Sequence, residues 1–249
     1  MSDSDDSGAP GLPPVIELVW GLRSRPSKGP KRGLTLDRIV AAAIRLALTD
    51  GIGAVSMSRV ASELGASTMS LYRYVAAKDE LLMLMVDAAL GAPPERAEAG
   101  VAQSWRDGLT QWSVGLRRAY HRNPWALRVP ITAPPLGPNN VAWLDNALGC
   151  LSDTDLTEQE KLSTVLLLSG FVRNEATLSA DFAAGSSGQP QMPGYGATLS
   201  RLIDPGAFPA LHRAIVSGSL DDPDDPDSEF NFGLLRILDG VAVLVQTKP

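Results

Sequence analysis

The chain has 249 residues, 44% of them apolar, which is enough to bury a core in one or two domains and excludes a disordered protein. Its formal charge is −6, but residues 17–78 hold ten Lys and Arg against four Asp and Glu, and such a basic segment on an acidic body is expected where one end contacts phosphate. The single Cys150 excludes an intramolecular disulfide, and with no signal-like start and no stretch near eighteen apolar residues we expect a cytoplasmic protein without a membrane partner.

Residues 1–33 are expected to form a disordered acidic tail followed by a mobile basic arm. Residues 1–14 are mostly Ser, Asp, Gly and Pro, which cannot bury enough apolar surface to order the chain. Prolines and glycines in residues 15–33 forbid a continuous helix there. Arms of this kind commonly contact phosphate or the minor groove, although a solvated linker fits the same composition. The basic residues of the arm are Arg23, Arg25, Lys28, Lys31 and Arg32.

The next part of the chain predicts three short helices. Thr35 can cap a first helix whose apolar residues recur at helical spacing, and Gly51 can end that helix. Ser56 can cap a second helix that stops at Gly65, and Ser67 can cap a third. Two helices joined by a tight, glycine-containing turn form a helix-turn-helix pattern.

The outward face of the third helix is suited to reading DNA. Leu71 and Val75 are four residues apart and can pin the helix to its neighbour, so other side chains must face outward. Base edges and phosphates in a major groove can accept contacts from hydroxyl, thioether, phenol and guanidinium groups. An ordinary solvated helix is the alternative on spacing alone. The outward residues are Thr68, Met69, Tyr72 and Arg73.

The remainder of the chain predicts helices and no strand series, so the fold class is all-α. A helix opening at Lys78 ends at the Gly-Ala-Pro-Pro run of residues 91–94. Thr157 and Glu160 have the spacing of a capping box, which opens a long helix to about residue 182. Asn139 or Asn140 is the predicted cap of residues 141–151. Further helices are predicted at residues 101–121, 207–217 and 229–245, and a flexible loop at residues 184–196.

With these elements in place, the N-terminal part resembles the DNA-binding domain of the TetR family of transcriptional regulators. The resemblance rests on AAAIRL at residues 41–46, SMSRVASELG at 56–65, LYRYV at 71–75 and KDELL at 78–82. The C-terminal part resembles the helical regulatory domain of the tetracycline-repressor-like branch. The resemblance implies a helix-turn-helix domain at residues 34–80 and a helical ligand-binding and dimerisation domain at residues 81–249.

The resemblance also implies which side chains meet DNA. Residues of the second helix would lie near phosphate, Tyr72 and Tyr74 would contact the backbone, and Lys78 would bind phosphate. Ser58 stands where tetracycline repressors have a basic reader, so base preference cannot be transferred. We expect Thr68 and Arg73 to contact base edges. The complete helix-turn-helix set is Ser56, Met57, Ser58, Arg59, Ser67, Thr68, Met69, Ser70, Tyr72, Arg73, Tyr74 and Lys78.

The family resemblance further implies a homodimer that binds a double-stranded DNA operator and a small-molecule effector. The two long helices near residues 161–180 and 230–244 would pair with their mates, although they could instead pack only within the chain. An effector in each C-terminal domain would shift the helix that opens at Lys78 and move the recognition helices out of register. Aromatic and polar candidates for the ligand pocket are Trp105, Trp112, Tyr120, Trp143, Asn146, Phe171, Arg173, Asn174, Thr177 and Phe182.

Other functional classes find little support in the sequence. The two histidines have no metal-ligand spacing, and no glycine-rich phosphate loop or nucleophile turn is present. We therefore expect no catalytic site, no metal and no cofactor. An activator, or a regulator controlled by a protein partner, remains open beside a ligand-released repressor.

Overall fold

A computed structural model of the protein describes residues 12–22, 34–95, 104–132, 134–186, 194–221 and 227–247. Those residues form helices joined by turns and contain no strand, which confirms the predicted all-α class. The chain divides into two compact units, Met1–Leu166 and Leu167–Pro249. The α-helices are α1 Pro14–Val19, α2 Leu36–Asp50, α3 Met57–Glu63, α4 Thr68–Leu71, α5 Lys78–Leu90, α6 Trp105–Arg122, α7 Pro138–Cys150, α8 Glu158–Ser186, α9 Tyr195–Ser200, α10 Pro209–Val216 and α11 Ser228–Gln246.

The first unit is built on a core shared by α2, α3, α4 and α5. Ile39, Val60, Leu71 and Leu81 supply one fully buried side chain from each of these helices. Burying a side chain of this size stabilises a fold by about 1.5–3 kcal/mol. Trp125, in the short 3-10 segment after α6, packs into the same core, so α2–α5 and that segment form one body.

Residues 12–22 differ from the predicted mobile arm. They form α1, whose Val15 and Ile16 are each only 3% exposed and belong to the core of the first unit. Pro14 fits the first helical position because its missing N–H has no partner there, and an adjacent apolar pair can then bury its side chains. The helix therefore differs from the disordered tail predicted up to residue 14 and from the mobile arm predicted from residue 15. The five basic residues of the predicted arm lie outside the described residues.

The start of α7 also differs from the prediction. Gly137, which has no side chain to offer, is the N-cap, and the helix begins at Pro138. Asn139 and Asn140 lie inside the first turn and bond to another helix, so neither is the cap. The sequence pattern marked the right place but could not show that the capping group comes from elsewhere in the chain.

In the second unit, α8 and α11 approach closely around a glycine. The rings of Phe171 and Phe230 stack with centroids 5.6 Å apart and an interplanar angle of 21°. A Cβ placed on Gly233 would lie 2.6 Å from the Phe171 ring, so any side chain larger than hydrogen would displace that ring. At the start of α8, Thr157 and Glu160 exchange hydrogen bonds, which confirms the predicted capping box. Helix α9 lies partly in the predicted loop and was missed.

Two glycines of α11 give a matched test of this packing. Replacing Gly233 by Ala should lower the free energy of unfolding by about 1–3 kcal/mol, because Phe171 must move to admit the methyl group. Replacing Gly240 by Ala should raise it by about 0.5–1 kcal/mol, since nothing lies within 4 Å of the new Cβ and alanine favours a helix. Urea unfolding measures both values. Equal effects of the two substitutions would contradict the close approach of α8 and α11.

Among the described residues, no helix is both long and apolar enough to cross a membrane. Within the same parts of the chain, no three His, Cys, Asp or Glu side chains are grouped so that they could hold a metal ion.

Candidate nucleic-acid interface

The turn between α3 and α4 is set by local hydrogen bonds. The Ser56 hydroxyl accepts from the Arg59 N–H at 3.3 Å and thereby caps α3, as predicted. At the other end of α3, Gly65 has a φ of +61°, which a glycine adopts without strain. The Ala66 N–H donates to the Ala61 carbonyl at 2.9 Å, closing the loop that commonly ends a helix. The chain is thus turned at once into α4.

Helix α4 is pinned by its apolar residues and presents a different set outward. Leu71 and Val75 are fully buried, which confirms their predicted role as anchors. Met69 is 75% exposed and Tyr72 45% exposed, and Arg73 is also exposed. The helix ends at Leu71, before Val75, and a turn follows over residues 72–74. The outward residues therefore lie on one short helix and the turn that follows it.

Serine hydroxyls shape the starts of both helices. The Ser67 Oγ accepts from the Ser70 N–H at 3.3 Å and lies 2.8 Å from the Ser70 Oγ. The Ser56 and Ser58 hydroxyls lie 3.1 Å apart in the same way at the start of α3. Thr68 is half-buried at the first position of α4. The predicted serine and threonine contacts are therefore grouped at the two helix starts.

Three of the predicted DNA contacts have internal roles. The Met57 side chain is only 6% exposed, because it faces the core of the first unit, so the predicted side-chain contact with DNA was wrong. The Arg59 guanidinium donates to the Asp50 carboxylate at 2.5 Å. The Tyr74 hydroxyl donates its one proton to the Leu34 carbonyl at 3.0 Å. Arg59 and Tyr74 therefore hold α3 and the turn after α4 against their neighbours.

Lys78 is exposed at the first position of α5, close in sequence to the turn after α4. The start of α5 is held by Glu80, whose carboxylate accepts from the Ala76 N–H at 2.7 Å. Two acidic residues, Asp79 and Glu80, occupy the first turn, where the helix dipole favours them. The ammonium group of Lys78 thus extends from a well-defined helix start.

The two tyrosines around α4 can be separated by experiment. Changing Tyr74 to Phe should lower the free energy of unfolding by about 0.5–1.5 kcal/mol, because the bond to Leu34 is removed, and should leave DNA affinity within about twofold. Changing the exposed Tyr72 to Phe should leave stability unchanged and weaken DNA binding. Chemical denaturation and fluorescence anisotropy measure the two effects. A Tyr74 variant that loses DNA affinity but no stability would contradict the internal role.

The predicted ligand residues fall into three groups. Trp112, Trp143 and Asn146 are engaged within the first unit: the two indole rings meet edge to face at 5.8 Å, and the Trp112 Nε1 donates to the Trp143 carbonyl at 2.9 Å. In the second unit Phe171 stacks on Phe230, whereas Asn174 and Phe182 are exposed. Half-buried members of the set are Trp105, Tyr120, Arg173 and Thr177.

One buried group was missed in the sequence. Asp87, on α5, is 6% exposed and bonds to the first turn of α7. An acidic residue on a predicted helix is ordinarily placed on the solvated face, and no local pattern identifies a partner about fifty residues away. The run Gly137-Pro138-Asn139-Asn140 indicates a helix start but not the group that caps it.

The chain is similar to known regulators over nearly its whole length. Residues 39–84 match the family described as bacterial regulatory proteins, tetR family, and residues 99–245 match the tetracyclin repressor-like C-terminal domain. The HTH-type transcriptional repressor DrrR1 of Streptomyces coeruleorubidus is 35% identical to the chain, across 97% of the chain and 90% of that protein. An HTH-type transcriptional regulator of Saccharopolyspora erythraea is 34% identical across 68% of each sequence.

Solved structures agree with these relatives. ActR of Streptomyces coelicolor in complex with actinorhodin superimposes with a TM-score of 0.72 at 29% identity, covering 85% of this chain and 98% of ActR. The helix-turn-helix geometry and the match to DrrR1 lead to the same assignment. The chain belongs to the TetR family of transcriptional regulators and is a DNA-binding regulator, not an enzyme.

Proposed function

We propose that this protein is a ligand-released repressor that binds a palindromic operator as a homodimer. DNA recognition is supported mainly by the outward face of α4 and the turn after it. There Met69, Tyr72 and Arg73 are exposed, whereas Leu71 and Val75 are buried. Thr68 and Arg73 read base edges, Met69 meets a thymine methyl group, and Tyr72 and Lys78 contact phosphates. Repression is supported by the relative DrrR1, which is named a repressor.

The homodimer is supported by exposed apolar side chains on α8 and α11. Along α8, Leu178 is 48% and Phe182 72% exposed, and the small or polar Gly170 and Asn174 continue the same exposed row at intervals of four residues. On α11, the apolar side chains of Phe232, Leu235 and Val243 are also exposed. Rows of residues four apart interlock when two helices pack, and large exposed apolar groups on long helices are typical of an interface. We therefore place Asn174 and Phe182 in the dimer interface and not in the ligand pocket.

The effector is a small apolar or aromatic molecule. ActR has been crystallised with actinorhodin and with (S)-DNPA, and its likeness to this chain covers both units. Within the first unit, the half-buried Trp105 and Tyr120 remain as candidate contacts, since each offers aromatic surface and a polar group; Arg173 and Thr177, half-buried on α8, remain separate candidates. An effector releases DNA only if it binds the DNA-incompetent state more tightly, and in this proposal it does so by shifting α5.

The test uses the full-length protein and the duplexes that flank its own gene. A shifted duplex, a symmetric footprint and a dimer mass by light scattering are the expected results. Actinorhodin and then a panel of aromatic compounds are added to the complex, and we expect at least one of them to release the bound duplex. Failure to retain any flanking duplex, or a monomer mass in the complex, would overturn the proposal. A bound duplex whose transcription rises in vitro would show an activator instead.

A further inference from the structure

Asp87 connects α5 to the first turn of α7 through both oxygens of its side chain. Its Oδ1 accepts from the Asn140 N–H at 2.8 Å and from the Asn140 Nδ2 at 2.7 Å. Its Oδ2 accepts from the Asn139 N–H at 3.3 Å and from the Asn139 Nδ2 at 3.2 Å. The Asn139 Nδ2 also donates to the Asp87 backbone carbonyl at 3.1 Å. A carboxylate that is only 6% exposed is thus fully paired by two consecutive residues.

The chain around Asp87 is shaped to admit this carboxylate. Helix α7 has Gly137 as its N-cap, and no side chain of its own neighbourhood caps it. A Cβ on Gly137 would overlap the Asp87 carboxyl group, so glycine leaves the space that the carboxylate fills. The start of a helix carries unpaired N–H groups and a partial positive charge, which a carboxylate stabilises. Asp87 therefore supplies from α5 the cap that α7 lacks.

Two further residues of α7 form hydrogen bonds with the end of α5 and with the segment that follows it. The Trp143 Nε1 donates to the Gly91 carbonyl at 2.9 Å, and the Asn146 Nδ2 donates to the Pro94 carbonyl at 3.0 Å. These two bonds end on backbone carbonyls, whereas Asp87 is the acceptor that carries charge. Helix α5 begins at Lys78, the proposed phosphate contact, so about 13 Å of continuous helix separates Lys78 from Asp87.

We propose that Asp87 is the positioning residue through which α7 and α5 move as one, so that DNA occupancy at α4 and α5 is transmitted to α7. This inference rests on the proposed function, because a repressor released by an effector must couple the two regions. Coupling is reciprocal: if a change at α7 alters DNA affinity, DNA binding must alter α7. An Asn at position 87 has the same shape but keeps only one acceptor oxygen, so it loses the charge and the bonds to one of the two asparagines, and weakens the link without opening a cavity.

The experiment is hydrogen exchange of the full-length protein with and without an operator duplex selected from a random pool. Backbone amides of residues 142–150 are followed, because they bond within α7 and do not contact Asp87. In the wild-type protein the duplex should change their exchange rates by about fivefold or more, within the usual range of allosteric coupling. In Asp87→Asn the change should fall by about half or more while the duplex is still bound. Asp145→Asn removes an exposed carboxylate from α7 itself and should behave as wild type.

A second pair of variants protects the test against a folding defect. Gly137→Ala crowds the Asp87 carboxylate, and Asn140→Ala removes one side-chain donor to that carboxylate while keeping its charge, so both should reduce the exchange response. All proteins are measured well below their melting temperatures. If folded Asp87→Asn showed the full wild-type change in hydrogen exchange, the role of Asp87 would be overturned, but the coupling between DNA and α7 would stand. No response in wild type despite bound duplex would overturn the coupling, and failure to select any duplex would overturn the proposed function together with it.

Discussion

A monomeric protein with little operator affinity is the expected result of changing Phe232 to Arg. Phe232 is 62% exposed on α11, in the apolar stripe that we place in the dimer interface. In a two-fold interface each substitution occurs twice, and each buries a charge without a designed partner. A cost of about 3 kcal/mol for the pair raises the dimer dissociation constant by about two orders of magnitude. Light scattering and sedimentation over a concentration series measure this constant.

The matched control is Leu202→Arg, which places the same charge on an apolar residue outside α8 and α11 that is 75% exposed. It should remain dimeric and bind the operator as wild type does. Operator affinity of Phe232→Arg should fall with the dimer, because a monomer reads one half-site only. A dimeric Phe232→Arg protein with full affinity would place the interface elsewhere.

Sequence patterns predicted the helix-turn-helix correctly because its geometry depends on residues that are close together in the sequence. The caps at Thr35, Ser56 and Ser67 each use a hydroxyl three residues before its N–H donor. Gly65 ends α3 through its own backbone conformation. The spacing of Leu71 and Val75 was sufficient to show which side of α4 is buried. None of these features requires knowledge of distant residues.

The errors arose where distant residues decide the outcome. In the sequence, Val15 and Ile16 form a short apolar patch in a polar arm. Their side chains are buried only because they pack into the core formed by α2–α5. Met57 was counted as a DNA contact by its position in the family pattern, but the same core takes its side chain. Tyr74 bonds to Leu34, forty residues earlier, and a sequence pattern cannot show that its proton is already used.

The candidate ligand site was the least predictable part. Aromatic residues suit both a pocket and a core, and composition does not separate the two. Trp112 and Trp143 use their indole N–H groups on backbone carbonyls, which identifies them as structural. Asn174 and Phe182 are exposed on α8, where we propose a dimer interface. Exposure and hydrogen bonding, which depend on the folded chain, therefore decide among residues that look alike in sequence.

Selective loss of operator affinity is the expected result of changing Arg73 to Ala, and a uniform loss is the expected result of changing Lys78 to Ala. An arginine that reads a base contributes about 1–3 kcal/mol of discrimination, and a homodimer places one copy in each half-site. Arg73→Ala should therefore lower operator affinity by about 2–6 kcal/mol and affect unrelated duplexes much less. A lysine on phosphate carries no sequence information, so Lys78→Ala should weaken every duplex alike.

Salt dependence separates the two roles further. Lys78→Ala removes one phosphate-binding ammonium group from each subunit, so the negative slope of log affinity against log salt should become shallower by about two units for a dimer. Arg213→Ala removes the same side chain as Arg73→Ala from an exposed site on α10 and should leave both affinity and slope unchanged. Anisotropy titrations at several salt concentrations, on the operator and on a scrambled duplex, give all the values. If Arg73→Ala weakened both duplexes equally and made the slope shallower, Arg73 would be a phosphate contact and the base reading would fall to Thr68 and Met69.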